Sequence, residues 1–334
     1  MAAAMRRILV ILLLFILLVN APHIRKEAPL PRTPLVVKMT PYAVSPRIQK
    51  DYGPLKLTGL WVLDGSHRVF GGISSLIEQN GQFTALSDKG EWFRFGLGSS
   101  VGFAEALPRF RAERTIPRYR WDSESMTRDP VSGKLWVGFE SLQRICRYAP
   151  DFARIERCVT PPGVKAWPIT GSIESLVRFG DGRFMAIAEM GMRSNGMHDV
   201  LLWASDPTEP GAPKPVHLSY KPPTGFRPTD ALWLGGDRLL VLNRRLTIAD
   251  LFTARLALVR LPKLTESAVL KAEPIADFHR PGPTDNMEAL ALGRDEQGKP
   301  SLWVASDDNH AFFEESLLFR FALPEEWVSD AKAP

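Results

Sequence analysis

Acidic and hydroxyl residues recur along this chain at intervals that would bring them to one place. Ser74, Glu124, Glu174, Asp230 and Glu288 stand 50, 50, 56 and 58 residues apart. Each opens a short apolar run, which is followed by a turn and a second run. The second runs are closed by Asp88, Glu140, Glu189, Arg244 and Asp307. Carboxylates crowded together push one another's pKa up, so such a set needs protonation, a cationic side chain or a bound cation. Arg244, Arg245, Arg193, Arg227 and Lys89 are the cationic side chains at hand. A hard divalent cation, Ca²⁺ first among them, suits several convergent oxygens. The candidate metal ligands are Glu124, Glu174, Glu189, Asp230, Glu288, Asp307 and Asp88. Glu174, Glu124, Glu288, Arg244 and Arg227 are the candidates for catalysis. The competing reading of every one of these residues is a capped strand end bonded to the neighbouring repeat. The run Ser306-Asp307-Asp308-Asn309-His310 has the same two readings, as an oxygen-rich cation loop or a polar connection; it lacks the glycine and closing glutamate of an EF-hand.

The elements that would carry these residues are short strands. Phe83 to Asp88, Leu135 to Glu140, Phe184 to Glu189, Leu239 to Arg244 and Leu302 to Asp307 are apolar runs rich in aromatic and branched residues. Each is preceded by a hairpin signal: Asn80-Gly81, Ser132-Gly133, Asp181-Gly182, Gly235-Gly236-Asp237 or Gln297-Gly298. A repeat of 50 to 58 residues suits a four-stranded propeller blade. Consecutive strands of a blade are antiparallel, so the start of one strand and the end of the next lie at the same end of the sheet. The two polar sets therefore meet at one mouth of a central channel. The expected fold is an all-β propeller of five blades, with six as the alternative. Residues Leu55 to Leu63 precede the first repeat without a partner, and a closed ring must leave no free edge. They are expected to complete the last blade.

The rest of the chain sets the context. Arg6 and Arg7 precede an unbroken apolar run from Ile8 to Val19, of signal-peptide length. Residues 1–21 are read as a signal peptide or an N-terminal anchor, and 22–54, with six prolines from Pro29 to Pro54, as a tether. Residues 55–334 are then a single domain. The expected location is the periplasm or another exported site, with the membrane touched only through residues 8–19 if they are retained. Cys146 and Cys158 fall on two neighbouring antiparallel strands, which favours a disulfide staple over two buried thiols. The formal net charge of +5 falls to +3 without Arg6 and Arg7, and no basic cluster stands out, so nucleic acid is not an expected partner. A small anionic ligand or phosphate ester is, and the protein is expected to act as a monomer.

Gly71-Gly72-Ile73-Ser74-Ser75-Leu76, Ala85-Leu86-Ser87-Asp88-Lys89-Gly90, Asp285-Asn286-Met287-Glu288-Ala289-Leu290 and Ser306-Asp307-Asp308-Asn309 together resemble the phytase-like domain family. Its bacterial members are labelled for an "esterase-like activity of phytase". Ser123-Glu124-Ser125-Met126, Ile173-Glu174-Ser175-Leu176 and Leu240-Val241-Leu242-Asn243-Arg244 fit the same pattern. The family is similar to β-propeller phytases, which hydrolyse phosphate esters with Ca²⁺ at a channel end. The resemblance implies a metal-dependent phosphoester or ester hydrolase, with a non-catalytic periplasmic propeller that binds a ligand or protein as the alternative. Two departures bear on a Ca²⁺ site. Ser75, Ser125, Ser175, Ala231 and Ala289 stand where the family commonly has glycine, and Asn243-Arg244 stands where it has Glu-Arg. A serine-hydrolase triad is not supported, because none of the six histidines stands in a motif that pairs it with a nucleophile.

Overall fold

The computed structural model describes residues 29–98, 101–113, 115–117, 120–193 and 196–329. The expected export segment, residues 1–21, lies outside them. The described residues form strands and short 3-10 turns, and no helix among them is long and apolar enough to cross a membrane.

Strand pairing follows the repeats. The first antiparallel meander is β3 (Ile73–Gln79), β4 (Gln82–Ser87), β5 (Glu91–Gly96) and β6 (Val101–Ala106). The second is β7 (Ser123–Arg128), β8 (Leu135–Phe139), β9 (Arg144–Tyr148) and β10 (Ile155–Val159). The third is β11 (Ile173–Arg178), β12 (Phe184–Met192), β13 (His198–Trp203) and β14 (Val216–Lys221), with β18 (Val269–Lys271) added in parallel at its edge. The fourth is β15 (Arg227–Gly235), β16 (Arg238–Thr247), β17 (Leu251–Arg260) and β19 (Glu273–Phe278). The fifth takes β20 (Asn286–Arg294), β21 (Pro300–Asp307) and β22 (Leu317–Ala322) from the end of the chain and β2 (Lys56–Gly65) from its beginning. The unpartnered N-terminal strand thus pairs with the last meander, as ring closure requires.

The meanders form a cycle. Each innermost strand contacts the next, β3 to β7, β11, β15, β20 and back to β3. A buried apolar cluster fills each interface. Leu86 and Trp92 meet Val137 and Phe139; Trp136 meets Ile173 and Trp203; Met185 meets Val241; Leu240 and Leu258 meet Val304 and Phe319; Trp303 meets Phe83 and Phe95. The core is therefore a ring of packed sheet faces, a propeller-like all-β architecture. The strand tryptophans Trp136, Trp233 and Trp303 pack against Phe184, Phe179 and Phe83, as buried aromatic rings commonly do. Cys146 and Cys158 are directly opposed on β9 and β10 and form a disulfide, with Cα atoms 4.0 Å apart.

The proline-rich stretch departs from expectation. From Thr33 onward it belongs to the fold and is not a tether. Strand β1 (Thr33–Pro41) pairs with β6 over its first half and with β2 over its second, bridging the first and fifth meanders. Its buried Leu35 and Val37 alternate with exposed Val36 and Lys38, the period of a half-buried strand. Pro46 opens a 3-10 turn (Pro46–Tyr52) in the first-turn position that tolerates proline, with the Ser45 hydroxyl as its cap. Tyr52 ends that turn buried against Phe278 and Phe321. Pro41 ends the strand and Pro46 opens the turn, positions where no ladder donor is needed.

Candidate functional site at the channel mouth

A β-bulge near the start of each innermost strand builds the site. Pairing skips one residue between Ile73 and Ser75, Ser123 and Ser125, Ile173 and Ser175, Pro228 and Asp230, and Met287 and Ala289. The bulged residues are Ser74, Glu124, Glu174, Thr229 and Glu288. A bulge frees one residue from the ladder and re-aims its side chain. Two more five-membered sets lie beside this one. Asp88, Glu140 and Glu189 follow the last paired residues of the second strands, and Arg244 and Asp307 are themselves the last paired residues, opposite Arg227 and Asn286. Gly72, Asp122, Ser172, Arg227 and Asn286 precede each bulge by two residues.

Asp230 was expected to align with the bulged glutamates, and the structure corrects this. The extra residue in the fourth repeat is Thr229, so Asp230 is one position out of register with Glu124. Its two carboxylate oxygens accept backbone N–H groups from Ala231 and Leu290, both at 2.7 Å. Burial pushes its pKa well up against those hydrogen bonds. Asp230 ties the fourth inner strand to the fifth through these two bonds. Ser74 and Thr229, true equivalents, do the same job: each hydroxyl donates to the carbonyl just before the next repeat's bulge, Ser123 at 2.5 Å and Met287 at 3.0 Å.

The mouth has two electrostatically different sides. On one, Arg244 lies among Glu189, Glu288 and Asn286. Its Nη2 is 2.8 Å from Glu189 Oε1, and its Nη1 bonds Glu288 and Asn286. Burial opposes the guanidinium's charge, but Glu288, Glu189 and Glu174 together raise its pKa above the usual value. Glu288 is pushed up to about 7 by burial, with Arg244 pulling the other way. On the other side, Asp122, Glu124 and Glu140 each offer a carboxylate oxygen within 4.8 Å of the others. Burial and then the neighbouring Glu174 and Asp122 push the Glu124 carboxyl well up. Glu140 is pushed up to about 7, by burial and then by the Asp122 carboxyl. Glu174, buried between the two sides, is raised by burial and by Glu189, Glu288 and Glu140. The mouth thus carries a guanidinium on one flank and three closely spaced carboxylates on the other.

The remaining predicted residues fall around this centre. Asp88 is pushed up to about 6 by burial, with Lys89 opposing. Asp307 is raised by burial and then by Asp88, and one of its oxygens accepts the Asn309 N–H at 2.6 Å. Asp308 accepts from Gly72 N at 2.9 Å and from the Ser316 hydroxyl at 2.8 Å. The expected cation loop therefore clasps the fifth repeat to the first. Arg227 pairs in register with Arg244 but stays exposed on the rim, its guanidinium 2.7 Å from the Met190 sulfur. Sequence reasoning missed Asp122. Its signal was the match between Asp122-Ser123-Glu124 and Asn286-Met287-Glu288, which place a polar residue two positions ahead of each bulge.

An all-β ring of repeats with paired acidic residues at its inner strand ends defines a propeller-like protein of the phytase class. The family model described as "Phytase-like: Esterase-like activity of phytase" matches residues 68–310, and the chain belongs to that family. No curated protein sequence matches the chain. Among solved structures it is similar to Myxococcus xanthus glutaminyl cyclase, at 10% identity over 89% of this chain and 100% of that one, TM-score 0.42. It is also similar to the PQQ domain of pyranose dehydrogenase from Coprinopsis cinerea, at 11% identity over 75% and 94%, TM-score 0.38. A luciferin-regenerating enzyme shares 12% identity over 85% and 95%, TM-score 0.44. None of these likenesses bears on what this chain does.

Proposed function

We propose that the chain is a five-bladed propeller that hydrolyses phosphate esters or related esters at the channel mouth. The observation that carries this reading is the convergence of Asp122, Glu124 and Glu140 beside Glu174. The donor set is all oxygen, and Glu124 and Glu140 are pushed up by burial and by their acidic neighbours. Such a set fits a hard cation, with Ca²⁺ the match of choice. A cation bound there acts as a Lewis acid toward an ester or phosphoryl oxygen. Glu140 accepts the Gly171 N–H through one carboxylate oxygen, which fixes its direction as one of the three donors. Exposed Arg227 is placed to hold remaining anionic charge on a substrate. Arg244 is already committed to three partners, so it positions Glu189 and Glu288 and does not bind substrate itself. The Cys146–Cys158 disulfide supports an oxidising, exported location, in keeping with the apolar run Ile8 to Val19.

The purified chain would be assayed on p-nitrophenyl phosphate, phytate and p-nitrophenyl acetate, with Ca²⁺ and with a chelator. Turnover that disappears in chelator and in Glu124→Gln supports the proposal. The satisfied state of Asp230, Asp307 and Asp308 favours the second reading, a propeller whose mouth is mostly structural and binds without catalysis. No turnover on any substrate, with a melting temperature unchanged by chelator, would establish that second reading and discard the first.

A further inference from the structure

The two ends of the channel differ in their exposed apolar surface. Glu189, Arg244 and Asp307 mark the mouth, so the connections that follow them project from that end. β12 runs past Glu189 to Met192, β16 runs past Arg244 to Thr247 before β17 begins at Leu251, and residues 308–316 link β21 to β22. These three connections carry Met190 and Met192, Leu246 and Ile248, and Phe312 and Phe313, all exposed. Ile248 and Phe312 stand entirely clear of the protein, at 101% and 99% exposure. The equivalent connection of the second meander, residues 140–143, is a tight turn whose Gln143 side chain bonds the Trp167 carbonyl at 2.7 Å. The apolar rim therefore covers one side of the mouth, over the third, fourth and fifth meanders.

A second observation concerns the start of the chain. The Leu30 carbonyl accepts the N–H of Ala106, the last residue of β6. The next residue, Leu107, bonds Gly90, two residues past Asp88. The polypeptide therefore enters the fold at the mouth end. The apolar run Ile8 to Val19 lies upstream of that point. The stretch between Val19 and Leu30 spans at most about 38 Å when extended.

We propose that the mouth end docks on a lipid bilayer, with the tips around Ile248 and Phe312 buried at the headgroup boundary. Large apolar side chains on separate loop tips suit insertion among acyl chains, where each tip is buried independently. A protein partner would instead call for a continuous packed patch. Exposed Arg227 and Arg280 lie at the same end and complement anionic headgroups. Retention of the Ile8 to Val19 run in the membrane would hold this same end toward the surface. The docking stands whichever reaction runs at the mouth, because it rests on the rim and the chain entry alone.

The test uses the full chain with single cysteines at Ile248→Cys, Phe312→Cys and Val131→Cys, each carrying an environment-sensitive fluorophore. The native cysteines are tied in the disulfide, and Val131 is a 93%-exposed control at the opposite end, on the turn between β7 and β8. Mixed phosphatidylcholine–phosphatidylglycerol vesicles with nitroxide-labelled lipid are the probe. The expected result is a blue shift and quenching at 248 and 312, with neither at 131. Vesicle-bound protein whose labels at 248 and 312 stay in water overturns the proposal and assigns the rim to another partner. Equal quenching at 131, or no binding to vesicles, overturns it as well. No step of this readout needs turnover, so its failure is distinct from failure of the hydrolase reading.

Discussion

Arg244 and the Asp122–Glu124–Glu140 set answer the same crowding of charge by different means, and substitution separates them. Arg244→Gln leaves Glu189 and Glu288 facing each other without their shared cation. Their side chains are only 10% and 8% exposed, so the loss is that of a broken buried pair, about 3 kcal/mol in urea denaturation at neutral pH. The loss shrinks in acid, where the carboxyls can protonate. The mouth as a whole sets a pH dependence in the metal-free protein. Burial pushes Glu140 and Glu288 up to about 7 and Asp88 up to about 6 in the fold, from ordinary values of 4.5 and 3.8. Between those limits the folded chain holds protons that the unfolded chain has released. Stability from these groups is complete below about pH 4 and is lost as pH rises through 6 to 7. A thermal melt in chelator is expected to fall from pH 5 to pH 8. Added Ca²⁺ is expected to restore the loss at pH 8 and change little at pH 5, because protonated carboxyls do not compete for a cation. A melting temperature flat across this range would contradict the assignment.

The bulge is the element that makes the mouth, and it also limited what could be read from the sequence. The hairpins were legible because Gly-containing turns separate apolar runs of strand length, and the Asp88 to Asp307 set was placed correctly because it closes regular strands. The inner set was legible only in part. Asp230 is conspicuous as an acid in line with Glu124 and Glu174, but a bulge inserts a residue without a compositional signature, and Thr229 is the one inserted. The β1 strand was hidden by the opposite error, since its prolines outweighed the alternation of Leu35 and Val37. The bulges also stitch one inner strand to the next, unevenly. Ser125 Oγ donates to the Ile173 carbonyl at 2.8 Å, whereas the buried Ser175 Oγ has no hydrogen-bond partner among the described residues. Ser125→Ala is expected to cost about 1 kcal/mol and Ser175→Ala close to nothing. Equal losses in chemical denaturation would show that the hydroxyls pack and do not bond.

At the scale of the whole molecule, the seam between the first and fifth meanders is the place where the ring is held shut. β1 covers the outer edges of both, and its own Leu35 is fully buried. Leu35→Ala is expected to cost about 3 kcal/mol. Hydrogen exchange should rise first along β2 and β6, with β11 to β13 protected; uniform acceleration would mean that the seam is not a separate weak point. The seam also fixes when the protein can be finished. β2, near the start of the chain, finds its partner in β22, about 260 residues further on. While the chain emerges from a ribosome, the first four meanders can form in order, but the fifth cannot close before β20, β21 and β22 have been made. The ring therefore closes last. Until then β2 presents an open sheet edge, a form that chaperones can engage before the fold is complete.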